Sequence, residues 1–170
     1  MTMARKIVIG VGAAVALLAV VWIVQVVKVA MDAKKAGFLD DVETEKYQVG
    51  RDNNLKAIQA SLLLSAESEG QLPDAGQWMD QALIRLKTSD ISEEEAKAKL
   101  RVPGRTPPDF GYAINDKLAG RPLDTKADAE NVLVFESAKT SWNAHGDPAK
   151  DAAPHAKGVT VAGQVVTLGS

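Results

Sequence analysis

The sequence predicts an α+β protein: a single N-terminal transmembrane helix, then a small domain of helices followed by an antiparallel sheet. Three observations support this. Residues 7–27 are uncharged and, except for Gln25, apolar or glycine. Apolar residues recur at helical spacing between residues 51 and 100, and short β-rich segments alternate with loops after Leu100. Helices first and antiparallel strands afterwards is the order of an α+β domain. We therefore divide the chain into an anchor (1–30), a juxtamembrane stalk (31–50) and a domain (51–170).

The anchor is predicted from its length and its lack of charge. No charged residue occurs between Lys6 and Lys28, and Gln25 is the one polar side chain in residues 7–27. A helix of these 21 residues extends roughly 30 Å, the thickness of the hydrocarbon core of a bilayer. A cleavable signal peptide has a shorter apolar region and a small-residue cleavage site, for which Lys28-Val29-Ala30 is a poor match. The helix is therefore predicted to remain uncleaved.

A nucleotide-binding turn is the other reading of this segment. Gly10-Val-Gly12 begins like a dinucleotide-binding motif, but Val15 occupies the third glycine position and the apolar run continues unbroken. Small residues four apart instead permit close approach of another membrane helix, although such residues are also common in membrane helices generally. The candidate helix-packing residues are Gly10, Gly12, Ala14 and Ala16. Trp22 is expected near the membrane boundary and is a possible partner contact.

Composition excludes several classes of function. The chain after Met31 carries 17 basic and 22 acidic residues, a net charge of −5. Nucleic acids and anionic lipid surfaces both require basic patches, so neither is expected as a partner of this region. The absence of cysteine excludes disulfides, thiolate metal sites and cysteine nucleophiles. Basic residues flank both ends of the anchor almost evenly, so charge alone does not fix its orientation.

Three helices are expected in the first half of the domain. The stripe Leu55, Ile58, Leu62 and Ala66 predicts the first, which Asp52 or Asn53 caps and Gly70 ends. Residues 31–50 before it form either a helix or a mobile stalk. Asp74 is the candidate cap of the second helix, whose buried face comprises Trp78, Ala82 and Leu86. A capping box, Ser92-Glu-Glu-Glu95, predicts a third helix that ends near Leu100.

Strands are expected in the second half. Residues 110–114 and 131–136 each predict one strand, and residues 159–161 and 164–168 flank Ala162-Gly163 as a hairpin. Residues 144–157 are expected to form a loop. Glu136 is expected on the solvent face of the sheet, which period-two alternation and a functional carboxylate explain equally well. The aromatic side chains are expected to be core residues, and an exposed Trp142 would be a possible partner contact.

Several short motifs resemble those of type IV pilins and type II secretion pseudopilins. The most similar group is the bacterial pseudopilin-like family with a C-terminal His-x9-Asp-Gly motif. The resemblance covers roughly residues 54–168, and it depends on the order and spacing of these segments: Asn54-Leu-Lys-Ala-Ile58, Glu69-Gly-Gln-Leu-Pro73, Trp78-Met79-Asp80, Arg101-Val102-Pro103, Phe110-Gly-Tyr-Ala-Ile-Asn115, Leu118-Ala-Gly120, Val132-Leu-Val-Phe-Glu-Ser137 and Trp142-Asn143. The resemblance implies a cytoplasmic N-terminus, an extracytoplasmic domain and a sheet packed on the outer half of the N-terminal helix.

The chain also departs from that family. It lacks the glycine followed by Phe-Thr-Leu-Ile-Glu at which prepilins are processed, and it has no glutamate between Lys6 and Lys28. Met79 and Val102 stand at the family's two cysteine positions, a joint loss that would suit disulfide partners. Gly163 follows His155 after a shortened interval, without the preceding aspartate. These departures imply a retained domain whose maturation and polymerisation apparatus has been discarded.

No catalytic or cofactor site is predicted. His145 and His155 could form a metal site with Asp147 and Asp151, but they lie in a loop where solvated histidines are the simpler interpretation, and two aspartates are too few for a calcium site. Serine-nucleophile and phosphate-loop motifs are absent. The favoured function is a non-catalytic structural or interaction subunit of a bacterial membrane complex: energy-converting, light-harvesting or secretory. Its partners would be integral membrane proteins and the lipid bilayer of the inner membrane. The alternatives are a minor pseudopilin of a filament and a membrane-tethered enzyme or solute-binding protein.

Overall fold

The computed structural model describes residues 38–88 and 90–169, and it describes side chains from Gly50 onward. The chain divides into two units, Met1–Lys46 and Tyr47–Ser170, and the second contains the sheet and the shorter helices. Among the described residues, no helix combines the length and hydropathy needed to cross a bilayer. The predicted anchor at residues 1–30 lies outside the described part of the chain.

Helix α1 (Phe38–Glu69) begins well before the predicted start. Asp52 and Asn53 lie in its interior, so their prediction as caps is wrong, and Asp52 accepts instead from Lys157 Nζ at 2.6 Å. Residues 38–50 are helical because the polar sequence there contains no proline and its one glycine, Gly50, is tolerated within a helix. The predicted end is confirmed: Gly70 has φ +80° and its N–H donates to Ala66 O at 2.8 Å.

The next two helices follow the sequence pattern closely. Helix α2 (Trp78–Leu86) buries Trp78, Ala82 and Leu86 as expected, together with Met79. Its N-cap is Gln77, so the prediction of Asp74 as the cap is wrong. Helix α3 (Glu93–Lys99) begins with the predicted capping box, in which the Ser92 N–H donates to Glu95 Oε2 at 2.8 Å.

Five strands form one mixed sheet in the order β3-β1-β2-β4-β5. The strands are β1 (Tyr112–Asn115), β2 (Val132–Glu136), β3 (His145–Gly146), β4 (Ala156–Thr160) and β5 (Val165–Leu168), with helix α4 (Pro148–Asp151) after β3. The α+β class and the β4–β5 hairpin are confirmed. Strand β3 and helix α4 occupy the region that was predicted to be a loop.

The sheet is mixed rather than antiparallel because β3 runs parallel to β1. The chain leaves β2 beside the start of β1, where Ser137 N donates to Gly111 O at 2.8 Å and Phe110 N donates to Thr140 O at 2.9 Å. It then advances along the free edge of β1 and pairs His145 with Ile114. Because the loop turns around the start of β1, the strand that follows it, β3, runs in the same direction as β1.

The main core lies between one face of the sheet and the helices. Helix α1 contributes Leu55, Ile58 and Leu62 to this cluster, and α2 contributes its buried face. A smaller cluster of Ala113, Phe135 and Ala144 covers the opposite face of the sheet. Strand β1 is therefore buried on both faces, which removes the alternation that half-buried strands show.

A β-bulge in β2 overturns the prediction for Glu136. Val132 pairs with Thr160 but Val134 pairs with Val159, so Leu133 is an extra residue in the strand. Such an extra residue shifts the alternation of all later side chains. Glu136 consequently lies opposite Tyr112 and faces α1, with 5% of its side chain exposed, instead of facing solvent.

Candidate functional site

The structure tests only part of the predicted contact surface. The helix-packing residues Gly10, Gly12, Ala14 and Ala16, and the boundary residue Trp22, lie outside the described residues. Their roles stay predictions from sequence. Of the predicted site residues, Trp142 is the one that the structure describes.

Trp142 is partly buried at the edge of the main core. Its ring meets that of Phe110 edge-on, with centroids 4.8 Å apart and an interplanar angle of 72°. Its indole N–H donates to Asp80 Oδ1 at 3.0 Å. Trp142 is therefore fixed to α2 by its polar edge and to the core by its ring, and its role as a partner contact stays a prediction.

Asn143, to which the sequence analysis gave no role, caps the start of α2 from 64 residues away. Its Oδ1 accepts from Met79 N, and its Nδ2 donates to Gly76 O and to Asp80 Oδ2, each at 2.7 Å. The first turn of a helix has N–H groups without intrahelical partners, and one of them is satisfied here. Asn143 adopts φ +56°, a conformation that asparagine tolerates better than most residues.

The two segments joined in this way are among those that carry the family resemblance, Trp78-Met79-Asp80 and Trp142-Asn143. A further bond between them runs from the Trp78 indole N–H to Ala144 O at 2.8 Å. Met79 and Val102 are both buried in the main core. The junction is thus a compact structural link between α2 and the segment that leads into β3.

Glu136 links α1 to the sheet. Among the ion pairs of the described residues, its side chain is the least exposed acidic partner. Its Oε1 accepts from Arg51 Nε at 2.7 Å, a second contact joins Arg51 Nη2 to Oε2, and Lys157 N donates to Oε2 at 2.8 Å. The Arg51 side chain is 12% exposed. Glu136 thus binds Arg51 of α1 and the backbone N–H of Lys157 in β4, and these charge-assisted bonds position α1 on the sheet.

Asp128 organises the loop before β2. It accepts from Arg121 Nη2 at 2.6 Å, from Asn131 Nδ2 at 3.0 Å and from Asp124 N at 3.2 Å. The Arg121 hydrogen bond, with smaller contributions from the other donors, holds the pKa of Asp128 below its ordinary value. These contacts stabilise the ionised form and fix the turn that enters the sheet.

His145 and the two nearby aspartates are each bound to other groups, and His155 is exposed. His145 Nδ1 lies 2.7 Å from Asp116 Oδ1. Asp147 caps α4 by accepting from Ala149 N at 3.0 Å, and the N–H of Asp147 holds the pKa of Asp151 below its ordinary value. Within the described ranges, no group of three or more potential ligands is arranged to hold a metal ion.

Comparison of the chain with protein-family models, with curated proteins and with solved structures finds no match in any of the three.

Proposed function

We propose that this protein is a non-catalytic structural or interaction subunit of a larger bacterial membrane complex, anchored by one uncleaved transmembrane helix. The observation that carries the proposal is the uncharged apolar segment at residues 7–27, which is long enough to span a bilayer. The complex would be energy-converting, light-harvesting or secretory. The partners are integral membrane subunits that approach along Gly10, Gly12, Ala14 and Ala16, together with the lipid bilayer.

The hydrogen bonds of three polar side chains among the described residues support a structural role. Glu136 joins α1 to the sheet, Asp128 holds the loop before β2, and Asn143 caps α2. Each of these side chains is bound by groups of the protein itself. In a catalytic site, by contrast, an acid or base must be available to a substrate.

The resemblance to pseudopilin-like proteins supports the topology that we propose. By that resemblance the N-terminus would lie in the cytoplasm, the helix in the inner membrane and the domain on the periplasmic side. Consistent with that resemblance, α1 packs three apolar residues, Leu55, Ile58 and Leu62, into the core that covers the sheet. The missing processing site favours a permanently anchored subunit over one that is released into a filament.

A minor pseudopilin of a secretion or pilus filament is the second candidate, and the same packing of α1 favours it. Intact-mass measurement of the native protein separates the two. The permanent anchor predicts the full chain, allowing for loss of the initiator methionine. Removal of the residues before the apolar segment, or N-methylation of a new N-terminus, would contradict the anchor and support the filament.

The packing surface is tested by native electrophoresis of membranes solubilised in a mild detergent. We expect the wild-type chain to migrate with its partner subunits. Ala14→Leu places a bulky side chain on the small-residue face and should release the chain from the complex. Val15→Leu is the matched control, because it introduces the same residue at the neighbouring position with little change in size. The Val15→Leu chain should remain associated with its partner subunits. Equal behaviour of both variants would contradict the proposed surface.

A further inference from the structure

A cleft of about 380 Å³ opens where α1, at Arg51, meets the loops before β1 and β4. Ligand pockets in proteins typically have volumes of about 300–1,000 Å³, so the cleft has room for a small ligand or a chain terminus. Its charged walls are Arg51, Arg105 and Glu136, and His155 lies at its edge.

Arg105 is the feature that suggests a ligand. Its Nη2 donates to Ser137 O at 3.3 Å, and its guanidinium lies against Gly111, where a Cβ atom would collide with it. Among the described residues it makes that single side-chain hydrogen bond and no ion pair. A guanidinium has five N–H donors in a planar fork. Arg105 is thus held in place with most of its donors available to an anion.

The charge of the cleft favours a single negative charge. Arg51 and Glu136 neutralise each other, so the lining residues that the structure describes carry a net charge of +1, from Arg105, with His155 counted as neutral. The buried carboxylate of Glu136 would repel a doubly charged phosphate ligand more strongly than it would repel a singly charged carboxylate ligand. A planar carboxylate also matches the fork of an arginine in a bidentate manner.

His155 provides a second, independent observation. It has φ +53° although it is not a glycine, and it is exposed beside the cleft. Non-glycine residues in this left-handed region are uncommon and tend to occur at functional sites. Because His155 lines the same cleft as Arg105, its imidazole is the second candidate donor to an anion there.

We propose that this cleft binds a carboxylate, with Arg105 as the bidentate donor and His155 as a second donor. The carboxylate belongs either to the C-terminus of a polypeptide or to a small free acid, which present the same chemistry. The binding site lies wholly within the described residues of the domain. It therefore does not depend on the proposed anchor, and each of the two proposals can fail without the other.

The test uses the full-length protein in detergent micelles, with ¹H–¹⁵N NMR shifts as the measure of binding. The probes are acetyl-trialanine with a free carboxylate, the same peptide as its C-terminal amide, and propionate. We expect saturable shifts at the cleft with the free peptide acid and none with the amide. Tighter binding of the peptide acid than of propionate identifies a chain terminus as the ligand, whereas equal affinities identify a free acid.

Arg105→Gln is the decisive variant, and it should weaken binding of the acid at least tenfold. Arg85→Gln removes a guanidinium of α2 that does not line the cleft, and it should leave the affinity unchanged. If Arg105→Gln does not fold, His155→Ala replaces it and should weaken binding several-fold. The proposal is overturned if the amide binds as well as the acid, if no probe shifts the cleft resonances, or if the folded cleft variant retains wild-type affinity.

Discussion

Gly50 lies in the interior of α1, where glycine destabilises a helix relative to alanine. A Cβ atom built there meets Pro103 Cγ at 3.6 Å, an ordinary van der Waals contact. Gly50→Ala should therefore raise the free energy of unfolding by about 0.5–1 kcal/mol. Thermal unfolding followed by circular dichroism measures the change. Gly111→Ala, at φ +83° and against Arg105, is the opposite control and should destabilise the protein; a destabilising Gly50→Ala would contradict the account.

Asp128 predicts a pH dependence whose sign follows from its contacts. The Arg121 hydrogen bond lowers the pKa of Asp128 below the ordinary value of 3.8 in the folded state. A lowered folded-state pKa contributes stability that is fully present above the unfolded pKa and is lost as pH falls through the folded pKa. The melting temperature of the wild type should thus exceed that of Asp128→Asn at pH 7, and the difference should shrink below pH 3.8. A difference that stays constant or grows on acidification would argue against this role.

At the residue scale, the sequence predicted local interactions well and distant ones poorly. The capping box at Ser92 and the helix end at Gly70 depend on neighbouring residues, and both are confirmed. The cap of α2 depends on Asn143, which is 64 residues away, and local spacing pointed to Asp74 instead. The one available signal for Asn143 is the tolerance of asparagine for positive φ, which does not identify a partner.

At the scale of elements, α2 is expected to depend on Asn143 for its start. Asn143→Ala removes the acceptor for Met79 N and the donors to Gly76 O and Asp80. We expect a loss of about 1–3 kcal/mol, because partly buried groups lose hydrogen-bond partners. Asn53→Ala, at an exposed position on α1, is the matched control and should change stability by less than about 0.5 kcal/mol. Equal effects of the two substitutions would show that Asn143 does not cap the helix.

The contact of α1 with the sheet is tested at the Arg51–Glu136 ion pair. Glu136→Leu removes the carboxylate that Arg51 Nε and Lys157 N bind, and breaking a largely enclosed ion pair from one side should cost about 3–5 kcal/mol. Adding Arg51→Met to that variant should recover a large part of the loss, because the charge that the carboxylate balanced is then removed as well. Denaturant unfolding of both variants provides the comparison. A double variant less stable than Glu136→Leu alone would contradict the interpretation of the pair as a coupled unit.

The bulge in β2 explains why this ion pair was not foreseen. Alternation along residues 131–136 assumes one side chain per pleat, and under that assumption Glu136 faces solvent. The extra residue at Leu133 depends on how β2 pairs with β4, which local sequence does not encode. The same limit applies to β3, a strand of two residues that exists because it pairs with β1.

At the scale of the whole molecule, the α+β class was predictable because it follows from the order of local patterns. Helical spacing before Leu100 and β-rich segments after it are both visible in the sequence. The mixed sheet was not predictable, because the direction of β3 depends on the path of residues 137–144 around the start of β1. The cleft was not predictable from sequence either, because Arg51 and Arg105 line the same cleft only in the folded domain.

The anchor is the central claim, and its direct test is alkaline carbonate extraction of membranes from cells that express the full-length chain. We expect the wild type to stay in the pellet and to be released by detergent. Leu17→Arg adds a charge near the middle of the span, at a cost of about 2.5–3.5 kcal/mol, and should shift the protein toward the soluble fraction. Leu17→Ile is the control and should behave as the wild type does. Recovery of the intact wild-type chain in the carbonate supernatant would contradict the account.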